Sequence, residues 1–333
     1  MARKLLLMMA ALTLAGTLCG RSLAADTPIG ALSGPSLAAG MPDNASSGLS
    51  PAAGAPDNAL SRPSFAADTP DNVPGKPSLT VNTLADIKAR GVLVAGVRDT
   101  APPFGTVHPR TYVNEGYDID FVRYLAKKLG VRVRFQPVTA VNRIPMLMEG
   151  RVDLLAAAMT KTPERAQQID FSHTYFLTGQ KFLAQKGIFK TLKDFKGKKI
   201  GTARGTTSEQ NAADAVPEAA IISFDDYPKA ITALRKREIQ AVTTDEAILA
   251  GQLCLLEKSS ATRGKFEISS PRISTEQYAF GVRKGDVKFL KFVNDTMLEM
   301  EQNGEAKKIF QRWFGPGSES PINRGDFVIA GTP

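Results

Sequence analysis

The chain has 333 residues, 43% of them hydrophobic and 23% charged, which is enough for one large or two ordinary domains with a sizeable core. Its net charge of +9 suits an anionic partner, but the sequence has no basic stripe interleaved with aromatic residues and no zinc-binding spacing, which excludes the usual nucleic-acid modules. The only cysteines are Cys19 and Cys254, and there are two histidines. We therefore predict no internal disulfide, no metal site and no cofactor.

Residues 1–24 have the pattern of a secretory signal peptide. Two basic residues precede an apolar stretch from Leu5 to Leu18, and small residues near Ala24 suit cleavage there. The apolar stretch is too short for a membrane span. Lipid attachment at Cys19 is the alternative, which the bulky Leu18 disfavours. The sequence therefore predicts export and cleavage near Ala24.

Residues 25–78 are rich in Ala, Pro, Ser, Gly and Asp and contain a degenerate repeat. Pro42-Asp43-Asn44 recurs as Pro56-Asp57-Asn58 and Pro70-Asp71-Asn72, with a period of 14 residues. Such short units with so many prolines cannot build a solenoid core. We predict a disordered tether.

A chain that starts at Leu79 is expected to bind its ligand with the affinity of the full chain. The predicted tether has no periodic apolar residues that would pack on a folded domain. Calorimetric titration of both chains is the measurement. A large loss of affinity in the shorter chain would contradict the tether interpretation.

From Leu79 onward, apolar strands alternate with amphipathic helices. The nearly continuous apolar run Val92–Val97 is typical of a strand buried on both faces of a parallel sheet. Repeated strand–helix–strand units predict an α/β fold, and two consecutive sets of them predict two lobes. The predicted strands are 92–97, 131–135, 152–159, 199–203, 221–224 and 239–244, and the main predicted helices are 118–129, 143–149, 229–235, 287–302 and 305–314.

Polar residues with complementary chemistry follow several of these strands. Because open α/β sheets bind ligands at the carboxyl ends of their strands, these residues form a candidate site. Arg165 and the turn at Thr206 and Thr207 offer donors for a carboxylate, and Asp245 offers an acceptor for an ammonium. The alternatives are a solvated surface arginine and ordinary helix caps. Together the residues suit a zwitterionic α-amino acid, and Arg98 and Arg143 add fixed positive charge.

A set of motifs in this region resembles the bacterial family 3 extracellular solute-binding proteins, over roughly Leu79 to Gly315. The residues that carry the resemblance are Gly116-Tyr117-Asp118-Ile119-Asp120-Phe121, Thr160-Lys161-Thr162-Pro163-Glu164-Arg165, Asp170-Phe171-Ser172, Gly205-Thr206-Thr207-Ser208-Glu209, Gly304-Glu305-Ala306 and Trp313-Phe314. On physical grounds alone, the first of these motifs is the acidic start of a helix.

The resemblance implies the two-lobe periplasmic-binding-protein fold of type II. Each lobe would be a mostly parallel sheet flanked by helices, and two strands would form the hinge. Lobe 1 would comprise 79–181 and 279–333, and lobe 2 would comprise 182–278. The chain would cross between the lobes near 180–184 and near 278–282.

Within the family, the sequence is most similar to the periplasmic glutamate/aspartate-binding proteins of ABC importers. The closer likeness lies in Val97-Arg98-Asp99, Asn142-Arg143-Ile144-Pro145, Gly205-Thr206-Thr207-Ser208-Glu209 and the segment from Asp245 to Gly251. It implies that Arg165, with Thr160 and the Thr207 region, holds the α-carboxylate. Asp245 would hold the α-ammonium, and Arg98 and Arg143 the side-chain carboxylate. Further ligand contacts are expected from Phe104, Ala158, Thr206 and Tyr227.

Three positions depart from the glutamate/aspartate pattern. Ala140 and Ala158 replace serines, and Tyr227 replaces a histidine. A charge count supports an acidic ligand, because three arginines and one aspartate leave the predicted site at +2 and a buried unpaired arginine is costly.

The sequence therefore predicts a monomeric, non-enzymatic periplasmic protein that binds a polar amino acid, glutamate or aspartate first, for an ABC permease. One alternative is a binding protein for another polar amino acid or a small carboxylate. Another is a cyclohexadienyl dehydratase-like enzyme on the same fold, with Glu246 or Glu276 as the acid. A third is a module that presents its ligand to a separate receptor.

Overall fold

The computed structural model describes residues 82–269 and 271–330. The predicted signal peptide (1–24), the predicted tether (25–78) and Cys19 lie outside these described residues. Within the described ranges, every helix is too short or too polar to span a bilayer.

Helices and strands alternate along most of the described chain. The helices are α1 (Thr83–Arg90), α2 (Tyr117–Leu129), α3 (Arg143–Met148), α4 (Pro163–Gln168), α5 (Thr207–Ala215), α6 (Tyr227–Arg235), α7 (Glu246–Lys258), α8 (Val287–Gln302) and α9 (Glu305–Phe314), with a 3₁₀ turn at Leu192–Phe195. The strands are β1 (Val92–Val97), β2 (Thr100–Ala101), β3 (Gly105–Val107), β4 (Asn114–Glu115), β5 (Arg132–Pro137), β6 (Leu154–Ala156), β7 (Ile169–Thr178), β8 (Gln180–Gln185), β9 (Lys199–Ala203), β10 (Ala220–Phe224), β11 (Ala241–Asp245), β12 (Phe266–Ser269) and β13 (Glu276–Arg283).

These strands form two five-stranded sheets with the same arrangement. The first has the order β5-β1-β6-β13-β7 and the second the order β10-β9-β11-β8-β12. In each sheet, four strands run in the same direction and one, β13 in the first sheet and β8 in the second, is paired antiparallel to both of its neighbours. The predicted α/β class, with mostly parallel sheets flanked by helices, is confirmed. The one reversed strand of each sheet is the strand that the chain forms directly after it crosses between the sheets.

The chain crosses twice between the two sheets. It leaves the first sheet at the end of β7 and enters the second at Gln180, and it returns between Ser269 and Glu276. The predicted crossings at 180–184 and 278–282 lie inside β8 and β13, so both transitions occur slightly earlier in the chain than the sequence indicated. We call residues 82–178 and 276–330 lobe 1 and residues 180–269 lobe 2.

The loop after β1 is fixed against the start of α2. Gly116, which precedes α2, has φ 146°, and a Cβ there would overlap the Phe104 carbonyl. That carbonyl accepts a hydrogen bond from the Asp118 backbone N–H at 3.1 Å, and the Pro103 carbonyl accepts one from Tyr117 at 2.9 Å. A side chain at position 116 would break this approach, which gives the glycine of the motif a structural role.

Candidate functional site

The predicted site residues lie where strands of both sheets end. Arg98 directly follows β1, Asp245 is the last residue of β11, and the Thr206 turn joins β9 to α5. Together they enclose one cavity with about 250 Å³ of empty space, part of it open to solvent. The lining residues are Arg98, Arg143, Ala158, Thr160, Arg165, Thr206, Thr207, Ser208, Tyr227 and Asp245.

Phe104 does not join the other predicted site residues at this cavity. Its side chain is fully buried, with ring centroids 4.9 Å from Phe176 and 5.2 Å from Tyr278. The expected ligand contact from Phe104 is thus replaced by a place in the lobe 1 core, where an apolar ring gains most from burial. Conversely, Ser208 lines the cavity although sequence reasoning did not select it; its position beside Thr207 was the available signal.

The helix-cap interpretation fails for two of the site residues. The Thr206 side chain caps no helix: its hydroxyl donates to the Ala203 carbonyl at 2.7 Å. Asp245 precedes α7 but its carboxylate makes no cap bond. By contrast, Thr162 does cap α4: its hydroxyl accepts from the Arg165 N–H at 3.3 Å, and Pro163 occupies the first helical position.

Arg165 is half-buried rather than a solvated surface residue. Its Nη1 donates to the Thr160 carbonyl at 2.8 Å, and its Nη2 donates to the Gly205 carbonyl of lobe 2 at 3.3 Å. Both partners are neutral acceptors, so the guanidinium keeps its charge available at the cavity. Arg165, Thr206 and Thr207 line the same cavity, and a guanidinium of this kind can bind a carboxylate through two parallel N–H bonds.

Asp245 is the acidic group of the cavity, and it is 5% exposed. The Tyr278 hydroxyl donates to its Oδ2, whereas its Oδ1 is buried and has no hydrogen-bond partner among the described residues. Burial above all, and then the charge of Glu276, raise the pKa of Asp245 to about 7, against the opposing effects of Tyr278, Arg165 and Arg143. An unsatisfied buried carboxylate oxygen is costly, so a bound cation would relieve it.

Ligand affinity is expected to fall as the pH is lowered from 8 to 5.5. Only the carboxylate form of Asp245 attracts an ammonium, so binding lowers the Asp245 pKa and releases a proton when the free site starts protonated. The affinity reaches its full value above the pKa of Asp245 in the ligand-free protein, about 7, and decreases below that pH by up to about tenfold per pH unit. Calorimetry in buffers of different ionisation enthalpy measures the proton release, about half a proton at pH 7. A flat affinity without proton release would contradict this role.

Arg143 is the most isolated charge of the site. It is 2% exposed, its Nη1 donates to the Ala157 carbonyl at 3.0 Å, and its Nε has no hydrogen-bond partner in the part of the chain that the structure describes. Among the described residues it forms no ion pair. Burial first, and then the charges of Arg165 and Arg98, lower the pKa of the Arg143 guanidinium well below its ordinary value. A buried guanidinium without a counter-ion is costly, and a ligand carboxylate beside it would offset that cost.

Two further carboxylates change the charge count made from the sequence. Asp226 pairs with Arg98, with 2.9 Å between Oδ1 and Nη2. Glu276 is 3% exposed, and its charge acts on both Arg165 and Asp245. Three arginines therefore face three carboxylates, and the expected surplus of +2 is wrong. Neither interaction could be predicted from the sequence, because Arg98 and Asp226 lie in different lobes and Glu276 follows the second crossing.

Asp118 of the Gly-Tyr-Asp motif does not line the cavity but holds a backbone segment that does. Its Oδ2 accepts from the Ala158 N–H at 2.8 Å and its Oδ1 from the Tyr175 hydroxyl at 2.7 Å. Ala158 lines the cavity with φ 44°, a backbone conformation that non-glycine residues rarely adopt. The motif thus does more than start a helix, because its carboxylate holds a strained stretch of the cavity wall.

The two lobes contact each other beside the cavity. The Gln252 amide of lobe 2 donates to the Thr100 carbonyl of lobe 1 at 3.2 Å, and Tyr278 of lobe 1 donates to Asp245 of lobe 2. Gly251 in α7 approaches Pro102 so closely that a Cβ would overlap the Pro102 carbonyl. The structure is therefore a closed arrangement, and Gly251 is where lobe 2 touches the loop of lobe 1.

Replacing Gly251 with alanine is expected to weaken every ligand by about tenfold or more while leaving the lobes folded. The added methyl favours helix α7 but cannot coexist with the Pro102 carbonyl, so it opposes closure rather than folding. Calorimetry and urea unfolding without ligand measure the two effects. Gly317→Ala is the control, since a Cβ at Gly317 has no neighbour within 4 Å. Unchanged affinity in Gly251→Ala would exclude this contact from closure.

Two lobes that close on a polar cavity at their strand ends define a solute-binding protein of the hinged kind. The family model for bacterial extracellular solute-binding proteins, family 3, matches residues 93–316. The chain belongs to this family, which confirms the resemblance found in the sequence.

Individual relatives bind different amino acids. The ABC transporter glutamine-binding protein GlnH of Bacillus subtilis is 34% identical over 69% of this chain and 84% of its own. The glutamate/aspartate import solute-binding protein of Salmonella typhimurium is 34% identical over 70% of this chain and 79% of its own. A crystal structure of the ancestral amino acid-binding protein AncCDT-1, a precursor of cyclohexadienyl dehydratase, has a TM-score of 0.64 and 32% identity over 70% of this chain and 99% of its own.

Proposed function

We propose that the protein binds an acidic α-amino acid, glutamate or aspartate, between its lobes and delivers it to an ABC permease from the periplasm. The observation that carries the acidic ligand is Arg143, a buried guanidinium at the cavity without a carboxylate partner among the described residues. The side-chain carboxylate of the ligand would supply that counter-ion. A neutral side chain would leave the charge buried and unpaired.

Two sets of cavity residues suit the two groups that every α-amino acid carries on its α-carbon. Arg165, with Thr160 and the Thr206–Thr207 turn, offers donors for the α-carboxylate. Asp245, with its unpartnered Oδ1, offers an acceptor for the α-ammonium. In this arrangement the α-groups neutralise Arg165 and Asp245, so the preference among amino acids depends on Arg143 and Arg98.

The relatives alone leave glutamine and the acidic amino acids as competing ligands. Total charge does not separate them, because the arginines and carboxylates of the site balance. The position of the charges supports the acidic ligand: Asp226 pairs with Arg98, whereas Arg143 has only a backbone carbonyl.

We propose binding without catalysis. Of the two acids considered for a dehydratase, Glu246 is held in ion pairs with Lys181 at 2.7 Å and Arg272 at 2.8 Å. Glu276 accepts hydrogen bonds from Thr207, Asn211 and Ser274. Such fully bonded carboxylates are poor proton donors. Incubation with prephenate or arogenate is expected to give no aromatic product, and product formation would overturn this part of the proposal.

A thermal-shift screen of the full chain against the twenty amino acids and small dicarboxylates tests the ligand. A ligand at 100 times its dissociation constant stabilises the folded state by about 2.7 kcal/mol, which raises the melting temperature by about 5–10 °C. We expect that shift from glutamate or aspartate. A shift with glutamine, arginine or cystine and none with either acid would overturn the acidic assignment while leaving the amino-acid-binding class intact.

A further inference from the structure

Asp226 connects the two lobes at the side-chain end of the cavity. It is the N-cap residue of α6 in lobe 2, and its Oδ1 accepts from its neighbour's backbone N–H and from Arg98 Nη2 at 2.9 Å. Its Oδ2 accepts from the Thr100 hydroxyl at 2.5 Å. Arg98 and Thr100 belong to lobe 1, so one carboxylate holds two groups of the facing lobe.

The partner of Asp226 is one of the arginines that face the cavity. Arg98 is 4% exposed and lies over the Tyr227 ring, 5.2 Å from its centroid. Its Nε is buried and has no hydrogen-bond partner among the described residues. The Arg98 guanidinium is therefore paired with a protein carboxylate through Nη2, while its side chain still lines the cavity.

We propose that Asp226 is a specificity-determining residue, a built-in counter-ion that neutralises Arg98 and so sets how strongly the cavity prefers a negatively charged ligand side chain. Because Asp226 pairs with Arg98, Arg143 is the one of the two arginines assigned to the ligand side chain that has no acidic partner among the described residues. The preference for a carboxylate over an amide is therefore smaller than two free arginines would give. The inference rests on the proposed function for its ligands, but its direction holds for any pair of ligands that differ by one side-chain charge.

Removing the Asp226 charge has two effects that one measurement separates. Closure loses an interlobe contact, which weakens all ligands alike. The cavity also gains one positive charge, which strengthens acids relative to amides, because specificity is a difference of affinities. The ratio of the dissociation constants of glutamine and glutamate cancels the first effect and retains the second.

The experiment compares the full wild-type chain with Asp226→Asn and Asp225→Asn by calorimetric titration of glutamate and glutamine. Asparagine also caps helices, so Asp226→Asn keeps α6, and Asp226→Ser is a second capping variant. Asp225 is the matched control, since it is 65% exposed and pairs with Lys229 on the surface. We expect the glutamine-to-glutamate ratio to rise by about tenfold or more in both Asp226 variants and to stay within about twofold in Asp225→Asn.

An unchanged or lower ratio in the Asp226 variants, or an equal rise in Asp225→Asn, would overturn the inference. A wild-type preference for glutamine would instead overturn the acidic ligand of the proposed function. In that case the shift between wild type and Asp226→Asn still decides the role of Asp226. The two failures are therefore distinguishable in one data set.

Discussion

Replacing Arg165 with alanine is expected to weaken every α-amino acid by about 2–5 kcal/mol. The group that Arg165 is proposed to hold, the α-carboxylate, is common to all of them. Its two hydrogen bonds in the structure go to the neutral carbonyls of Thr160 and Gly205. No carboxylate of the described residues is bonded to the guanidinium, although the charges of Glu276 and Asp245 act on it. Calorimetric titration with glutamate, aspartate, glutamine and asparagine measures the loss, which should be similar for all four.

A ligand without the α-carboxylate isolates this role. 4-Aminobutyrate has the side-chain carboxylate and amine of glutamate but no α-carboxylate, so the wild type and Arg165→Ala should bind it with equal, weak affinity. Arg204→Ala is the charge-matched control, because Arg204 is an exposed residue of the same region. If Arg165→Ala bound glutamate as tightly as the wild type, Arg165 would not bind the α-carboxylate.

Replacing Arg143 should instead reduce the preference for acids. Glutamate and aspartate should lose about 2–5 kcal/mol, and glutamine and asparagine much less, because only the acids provide Arg143 with a counter-ion. The glutamate-to-glutamine preference should therefore narrow or invert in Arg143→Ala. Equal losses for acids and amides would show that Arg143 does not contact the ligand side chain.

Stability measurements separate the effect of replacing Arg143 on ligand binding from its effect on folding. Because Arg143 is 2% exposed and has no ion pair among the described residues, an apolar side chain of similar length should fit with little loss or a gain of stability. Arg143→Met is therefore expected to match or exceed the wild type in urea unfolding without ligand, while it loses the acidic amino acids. A strongly destabilised Arg143→Met would indicate that the bond to the Ala157 carbonyl is structural.

The sequence predicted the elements whose pattern is local. The apolar run of β1 matched its observed bounds, and α2 begins one residue earlier than predicted. Most of the cavity-lining residues could also be predicted from the sequence, because the carboxyl ends of parallel strands meet at one edge of each sheet. Arg98, Arg165 and Asp245 therefore converge as expected.

The parts that sequence reasoning missed depend on distant contacts. The antiparallel strands β7 and β13 pair across the lobe crossing, and the small sheet of β2, β3 and β4 has strands of two or three residues, too short for a period to be seen. The pairing of Arg98 with Asp226 spans 128 positions. The charge of the site was misjudged for that reason, since a count along the sequence does not reveal which charges are already neutralised.

The relative affinity of the full wild-type chain for glutamate and glutamine tests the central claim most directly. The two ligands share their α-groups and differ only in the side-chain charge that Arg143 is proposed to recognise. Calorimetric titration at pH 8, where Asp245 is ionised, gives both dissociation constants. We expect glutamate to bind at least about tenfold more tightly than glutamine. Equal affinities, or tighter binding of glutamine, would contradict it.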